Sequence, residues 1–473
     1  MVAMNAGAGN THCPFRFLPI CGYTICMIAY SKREGLLLFI GDVFLLVASL
    51  WLTLFVRYGD APTEEAFFAH LLPFSFLFVA WIAVFYIFDL YGKHTLFLKR
   101  RLPGLLFRAQ VANALLAALF FYAFPIFNIA PKTILFLSVF ISFLLILFWR
   151  MRIVPNFGFR RRERAILIAE GMEKEMLLRE VRGHRRYAFT FIASLDLGKI
   201  SGIHFEEDIL KRVFEDRVTV IALDFQSEKI EAILPRLYNL LFSNVRFIDV
   251  NDIFEDIFDR VPLSSLEHSW VLKNMSRSSR MAYDALKRAM DILISLPLSA
   301  VSILISPFVV LAIKLDDGGA IFTKQERVGQ GNSIIPIYKI RTMSVISASG
   351  EAPPQAVTRA GSFFRKTRID ELPQLWNVLK GDLSLIGPRQ EFPHLAKLYE
   401  ERIPYYNLRH LIKPGLSGWA QVRMETAPKF QAAYDETREK LSYDLYYLKH
   451  RSFWLDMRIA LLTVKTLLSR SGV

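Results

Sequence analysis

Four long apolar runs open the pattern of this chain, at about 36–56, 71–90, 105–127 and 133–149, each near the ~20 residues that a membrane-spanning helix needs. Few charges fall inside them, so they predict a four-helix transmembrane anchor over 31–150. The period then changes. Short strand-like runs at 165–169, 188–195, 219–223 and 245–249 alternate with helical stretches over 172–182 and 228–241, which predicts a small parallel, Rossmann-like sheet domain over 160–275. A Ser-rich, basic linker through 262–280 leads to a fifth apolar run at 292–313. As a straight helix that run would span about 33 Å, enough to cross. Pro297 and Ser306-Pro307 interrupt it, however, and basic residues flank both ends, Lys287 and Arg288 before, Lys314 and Arg327 after. A helix over 289–313 that enters and leaves by the same face fits better than a kinked crossing, with Ser306 able to bond backbone freed at the bend. The last apolar pattern, 448–468, mixes Lys449, Arg451, Arg458 and Lys465 with Phe453, Trp454, Leu455 and Ile459. It fits a helix lying among lipid headgroups or a terminal helix packed on its own domain.

Loop charge gives the anchor a direction. Lys32 and Arg33 precede the first run, Lys93, Lys99, Arg100, Arg101 and Arg108 join the second to the third, and a basic stretch, 150–164, follows the fourth. The other loops carry only Arg57 and Lys132, beside Asp60, Glu64 and Glu65. Both ends of the anchor are therefore expected in the cytoplasm. Composition agrees: 473 residues that are 53% hydrophobic are too apolar for an ordinary soluble enzyme. The net charge of +14 suits anionic headgroups, phosphorylated ligands or nucleic acid. Its concentration beside apolar runs, with no zinc-type spacing or helix-turn-helix pattern, selects the membrane and excludes nucleic acid. Cys13, Cys21 and Cys26 all fall before residue 30, so neither a disulfide framework nor a thiol nucleophile is implied. Residues 1–30 read as a disordered leader, or as sequence before a true start nearer Met27.

The candidate chemistry lies at Arg365-Lys366-Thr367-Arg368-Ile369-Asp370-Glu371-Leu372-Pro373-Gln374, where two carboxylates follow a cluster of cations. One reading is a short helix with Asp370 near its N-cap and Gly381 past its end. The other is an anion site, since a helix start beside Arg365, Lys366 and Arg368, with Gly387-Pro388-Arg389 nearby, suits phosphate. A carboxylate kept ionised there can attack phosphorus or hold Mg²⁺. The first turn of the sheet domain, Ile168-Ala169-Glu170-Gly171-Met172-Glu173, lacks the G-x-G-x-x-G pattern and places acids where a pyrophosphate would lie, so no dinucleotide is expected.

Taken in order, Lys287-Arg288-x-x-Asp291, Ser306-Pro307, Lys339-Ile340-Arg341-Thr342-Met343, Asp370-Glu371-Leu372-Pro373-Gln374-Leu375-Trp376-Asn377-Val378, Gly387-Pro388-Arg389 and Lys413-Pro414-Gly415-Leu416-Ser417-Gly418-Trp419-Ala420-Gln421 form a specific series. The chain thereby resembles the bacterial polyprenyl-phosphate glycosylphosphotransferases, monotopic phosphoglycosyl transferases that begin exopolysaccharide and O-antigen repeat units. The resemblance implies a mostly helical catalytic domain over 281–473 on the cytoplasmic side of the inner membrane, bent at Ser306 and Pro307. It implies transfer of a sugar-1-phosphate from a UDP-sugar to polyprenyl phosphate with Mg²⁺, through a phosphoglycosyl-aspartate. It also implies Asp370 as nucleophile, Glu371 as metal or proton partner, both as metal ligands, and Arg365 and Arg389 as phosphate ligands. Lys339, Arg341 and Arg368 join them as candidate phosphate-binding cations, Lys339 and Arg341 alternating so that both can share a face. A homodimer is left open. Three departures stand out: Ile340 where the family has Phe, Arg368 where it usually has Ser, and Gln390 where it usually has Pro. A nucleotide-sugar dehydratase or epimerase would need the missing glycine-rich turn, and a non-catalytic scaffold would not need Asp370, Glu371, Arg365 and Arg389 together.

Overall fold

The computed structural model describes residues 30–88, 90–91, 102–123, 132–154, 163–184, 187, 189–196, 204–225, 227–231, 234–243, 245–275, 281–344, 357–424 and 434–469. The expected leader and most of the charged loops lie outside these residues. The first four apolar runs are helices α1 (Tyr30–Tyr58), α2 (Glu64–Ile87), α3 (Leu102–Ala123) and α4 (Lys132–Phe148), the last continued by a π-helical turn, Trp149–Ile153. Leu46, Leu50 and Leu54, spaced one helical turn apart, meet Phe74, Leu77, Trp81 and Phe85 of α2 with Leu106 and Ile146 in one core. The same interior buries polar groups. Asp42 is ion-paired with Arg150 and accepts from the Tyr91 hydroxyl at 2.7 Å. Gln110 donates to Ser142 and accepts from Asn113, both at 3.1 Å. The outer face shows Phe44, Val79, Leu115 and Phe136.

The sheet domain holds β1 (Glu163–Ala169), α5 (Met172–Gly183), β2 (Phe189–Asp196), α6 (His204–Glu215), β3 (Val220–Leu223), β4 (Arg246–Asp249) and α7 (Val250–Phe258). Its strands are parallel in the order β2-β1-β3-β4. The apolar runs read from the sequence fill both faces of β1, as a strand covered on two sides requires. Of the helix expected over 228–241, the described residues show helical turns at Glu228–Glu231 and Leu234–Leu237 and a 3₁₀ stretch, Tyr238–Ser243. Gly171 takes φ 92° after β1, and Glu170 beside it pairs with Lys229 at 2.9 Å.

Where the sequence reads as a linker there is a helix, α8 (His268–Met275), and Val261 and Trp270 are buried in one core with Tyr399, Tyr406, Trp419, Leu445 and Ile459. The fifth apolar run forms α9 (Met281–Asp316), followed by the antiparallel hairpin β5 (Phe322–Val328) and β6 (Ile334–Ile340). Then come α10 (Arg359–Thr367), a 3₁₀ turn Ile369–Glu371, α11 (Gln374–Lys380), β7 (Ser384–Ile386), α12 (Pro393–Arg402), β8 (Gly415–Ser417) and α13 (Trp419–Arg423). The terminal pattern is not one helix over 448–468 but two, α14 (Tyr434–His450) and α15 (Phe453–Ser469). Ser452 caps the second, its hydroxyl accepting from the Leu455 amide at 3.3 Å. The described chain is thus mostly helical, with a small parallel sheet. Among the described residues, five stretches, 35–58, 64–87, 102–123, 133–153 and 281–316, are long and apolar enough to cross a membrane by length and composition.

Candidate active site

Asp370 and Glu371 stand in the 3₁₀ turn between α10 and α11. Arg368 adopts φ 58°, a left-handed conformation that a side chain with a β-carbon seldom takes, and so turns the chain sharply out of α10. The N-cap expected for Asp370 falls instead at Pro373. Gly381 ends α11 at φ 98°, as its position predicts. Asn377 fastens α11 to the hairpin by donating to the Pro336 carbonyl at 2.7 Å.

Three cations converge on one oxygen of Glu371. Arg389 lies 3.3 Å, Lys339 3.4 Å and Arg368 3.6 Å from its Oε1. Arg365 donates Nε to the Thr342 hydroxyl at 2.9 Å and faces Asp370. Arg341 does not share the site of Lys339: its guanidinium is drawn to Asp317, just past α9. Gly319 is the residue that admits it, since a β-carbon there would lie 1.9 Å from the guanidinium. The clue in the sequence is the Asp316-Asp317-Gly318-Gly319 turn, which supplies both the acid and the space.

The two carboxylates are pushed in opposite directions. Burial raises Glu371, but Arg389, Lys339 and Arg368 together outweigh it and hold the acid below its ordinary value. Burial, and then the Glu371 charge, raise Asp370 despite Lys339, Arg368 and Arg365. The cations expected to keep Asp370 ionised therefore serve Glu371 first. Asp370 Oδ1 is buried and accepts no hydrogen bond among the described residues. Burial also lowers Lys339, and it lowers Arg327, which stacks 3.3 Å from the centre of the Phe392 ring, to about 10.

The Lys287-Arg288-x-x-Asp291 motif, whose cations the sequence reads as a basic flank of the fifth apolar run, clamps α9 to this site. Arg288 donates to the Val378 and Leu379 carbonyls, each at 2.6 Å, satisfying the open end of α11. Asp291 accepts from the Leu385 amide at 3.0 Å, and Lys287 pairs with Asp456 at 2.9 Å. At the other end of α9, Val309 and Ile313 pack on Ile340 and Phe364, with Ile369 against them. Between these anchor points Pro307 cannot bond to the Ile303 carbonyl, and the Ser306 hydroxyl donates to it at 2.7 Å. Gln390 has a role of its own: its amide donates to Gln374 at 3.0 Å, tying the Arg389 turn to the start of α11. Among the described residues no three His, Cys, Asp or Glu side chains gather as a metal cluster.

The sequence model of the bacterial sugar transferases matches residues 282–470. The UDP-N-acetylgalactosamine-undecaprenyl-phosphate N-acetylgalactosaminephosphotransferase of Aeromonas hydrophila is 40% identical over 231 residues, 47% of this chain and 52% of that protein. The exopolysaccharide production protein PSS of Rhizobium leguminosarum bv. phaseoli is 40% identical over 194 residues, 39% of this chain and 96% of that protein. The UDP-glucose:undecaprenyl-phosphate glucose-1-phosphate transferase of Escherichia coli (strain K12) is 36% identical over 191 residues, 38% of this chain and 39% of that protein. The chain thus spans about half of the Aeromonas protein, well under half of the Escherichia protein and nearly all of the Rhizobium one.

Proposed function

This chain belongs to the bacterial sugar transferase family, and from that premise we propose that it moves a sugar-1-phosphate from a UDP-sugar to polyprenyl phosphate, beginning a surface polysaccharide. The observation that carries the reading is the opposed pair: Glu371 with three cations at its Oε1, and Asp370 beside it with a buried oxygen that has no partner among the described residues. In this mechanism an Asp370 oxygen attacks the sugar-bearing phosphorus, the bond from that phosphorus to the bridging oxygen breaks, and UMP leaves. A phosphate oxygen of the lipid then attacks the same phosphorus, and the acyl phosphate bond returns its electrons to Asp370. Arg389, Lys339 and Arg368 fix Glu371 and offer their remaining donors to the diphosphate. Arg365, oriented by Thr342, faces the nucleophile. The donor set suits Mg²⁺, which takes one or two carboxylates with substrate phosphates, because Asp370 Oδ1 is an open acceptor and Glu371 adds an oxygen. The ion would supply charge neutralisation at the diphosphate.

The membrane arrangement belongs to the same proposal: α1 to α4 span the inner membrane, and α9 dips in and returns. A bundle with apolar groups outside and Asp42, Arg150, Gln110 and Asn113 inside is arranged as lipid requires. For α9, a straight helix would put residues 288 and 313 about 37 Å apart. Their partners, the end of α11 and the cluster around Phe364 and Ile369, belong to segments that adjoin within one folded unit. The bond of Ser306 to the carbonyl freed by Pro307 supports a bend at that point, and the exposed Leu293, Leu304 and Phe308 would face lipid. A Cys placed at Lys324 should then stay hidden from an impermeant reagent in intact cells; labelling there would defeat the hairpin.

The chemistry is tested by incubating the enzyme with labelled UDP-sugars and Mg²⁺ without lipid phosphate. UMP release and a phosphosugar adduct on the peptide holding Asp370 are expected, and Asp370→Asn should lose both while remaining folded. UMP release that depends strictly on lipid, with no adduct after an acid quench, would point to direct attack by the lipid.

A further inference from the structure

Arg389 reaches Glu371 at 3.3 Å with a guanidinium that is 35% exposed. One such contact is a weak restraint on a side chain that carries about 2 kcal/mol of rotamer entropy, so its aim depends on how the backbone beneath it is held. That backbone is fastened residue by residue. Gly387 donates to the Ser417 carbonyl at 2.8 Å and Pro388 accepts from the Gly415 amide at 2.9 Å. Glu391 accepts from the Val328 amide at 2.9 Å, and its carboxylate pairs with Lys440 at 3.0 Å. The carbonyl of Arg389 itself accepts from Nη2 of a second arginine, Arg409, at 2.8 Å.

Arg409 is 1% exposed and far more constrained than the residue it touches. Its Nη2 also meets Asp444 at 2.8 Å, its Nη1 donates to the Tyr406 hydroxyl at 2.6 Å, and Glu391 lies 4.0 Å away. Lys440 and Asp444 project from α14 one turn apart, on one face. Removing a guanidinium from water costs several kcal/mol, and a well-packed apolar pair could fill the same volume at no loss of stability. What an apolar pair could not do is hold a carbonyl in a fixed direction with a planar, multiply bonded donor.

We propose that Arg409, which faces the core rather than the carboxylate pair, is a positioning residue that aims Arg389 at Glu371 by gripping the Arg389 carbonyl, with Asp444 and Lys440 of α14 holding that grip and Glu391 in place. The proposal rests on the assignment of Arg389 to the reaction made above. Displacement of a catalytic contact by about 1 Å costs roughly 100-fold in rate, so a loosened grip has a visible effect.

The test is a double-mutant cycle on the full chain in lipid nanodiscs, with UDP-N-acetylgalactosamine and UDP-glucose as probes and UMP release as readout. Arg409→Lys keeps the charge opposite Asp444 but cannot bond the Tyr406 hydroxyl and the Arg389 carbonyl with one planar group. It should lower kcat/KM about 10- to 100-fold. In an Arg389→Ala background the same substitution should cost less than about twofold, because its only route to the reaction is already gone. Equal losses in both backgrounds would overturn the proposal and reduce Arg409 to a core ion pair. Asp444→Asn, which preserves shape, enters the same cycle should Arg409→Lys not fold, with the same two outcomes. Amide hydrogen exchange over 386–391 gives a readout free of turnover: it should quicken in Arg409→Lys or Asp444→Asn, and unchanged exchange overturns the proposal. If the wild-type chain releases no UMP from any UDP-sugar, the proposed function falls, and exchange alone decides the positioning role.

Discussion

Glu371→Gln separates the two carboxylates most sharply. It keeps the shape of the side chain while removing the charge that Arg389, Lys339 and Arg368 approach at 3.3, 3.4 and 3.6 Å. At an effective dielectric constant of 20, unit charges about 3.4 Å apart interact by about 5 kcal/mol. Water screens the exposed Arg368 and Arg389, so the better-buried Lys339 carries most of the loss. A net destabilisation of about 2–4 kcal/mol follows, read as a lowered midpoint of thermal unfolding in nanodiscs. The effect on Asp370 has the opposite sense. Its acidity is weakened first by burial and then by the Glu371 charge, so removing that charge lets it ionise at lower pH. In single-turnover UMP release without lipid, the acid limb of the wild-type profile should lie above the ordinary carboxyl value of 3.8, and in Glu371→Gln it should move down while the plateau falls. An acid limb that stays in place, or moves up, would refute the coupling between the two groups.

Ser306→Ala strips the Ile303 carbonyl of its donor beside Pro307 and should cost about 1 kcal/mol, with Ser306→Thr close to wild type; an alanine variant as stable as the parent would show the bond to be idle. His410 is driven down to about 3, by burial and then by Arg409, while its Nδ1 contacts Asn332 at 2.7 Å. It stays neutral when folded but takes up a proton when unfolded below the ordinary 6.5, so the stability it gives is complete above that pH. Stability should fall toward acid by about 1.4 kcal/mol per pH unit from this group, and His410→Gln should flatten the slope measured by thermal unfolding between pH 4 and 6.5. An unchanged slope would assign the acid sensitivity to other groups.

The elements that sequence shows best here are those whose burial is nearly all or none. The four apolar runs and the core strands β1 and β3 fall where hydrophobicity places them, because lipid-like or two-sided burial demands continuous apolar residues. Helices α6 and α7 were not legible as separate elements. The short α7 adjoins β4, so its pattern merges with that strand, while α6 carries a single apolar stripe amid charges. At the site, Asp370, Glu371, Lys339 and Arg389 could be named because they recur at motif positions. Which carboxylate the cations choose could not, since that follows from the left-handed turn at Arg368. Arg341 shows the limit of alternation as a guide: it stands one residue past the end of β6, and Asp317, more than twenty positions earlier, claims it. Arg409, Lys440 and Asp444 escaped because charged residues in an amphipathic pattern are read as surface, and only tertiary contact reveals them as interior.

Trp270 and Val261 sit among Tyr399, Trp419 and Leu445, although they precede the stretch that matches the family by more than ten residues. A transplantable transferase cut from this chain therefore has a natural seam upstream of Arg260, not at the start of α9. One that begins at residue 281 arrives with a socket where the indole stood, a loss of about 3–5 kcal/mol for a buried Trp. It also leaves the Trp419 indole N–H without the Asp259 carbonyl. A fragment that keeps 259–275 carries its own plug, so the segment between the two folded parts is cargo of the second, and recombination with other amino-terminal regions succeeds or fails by whether it travels along.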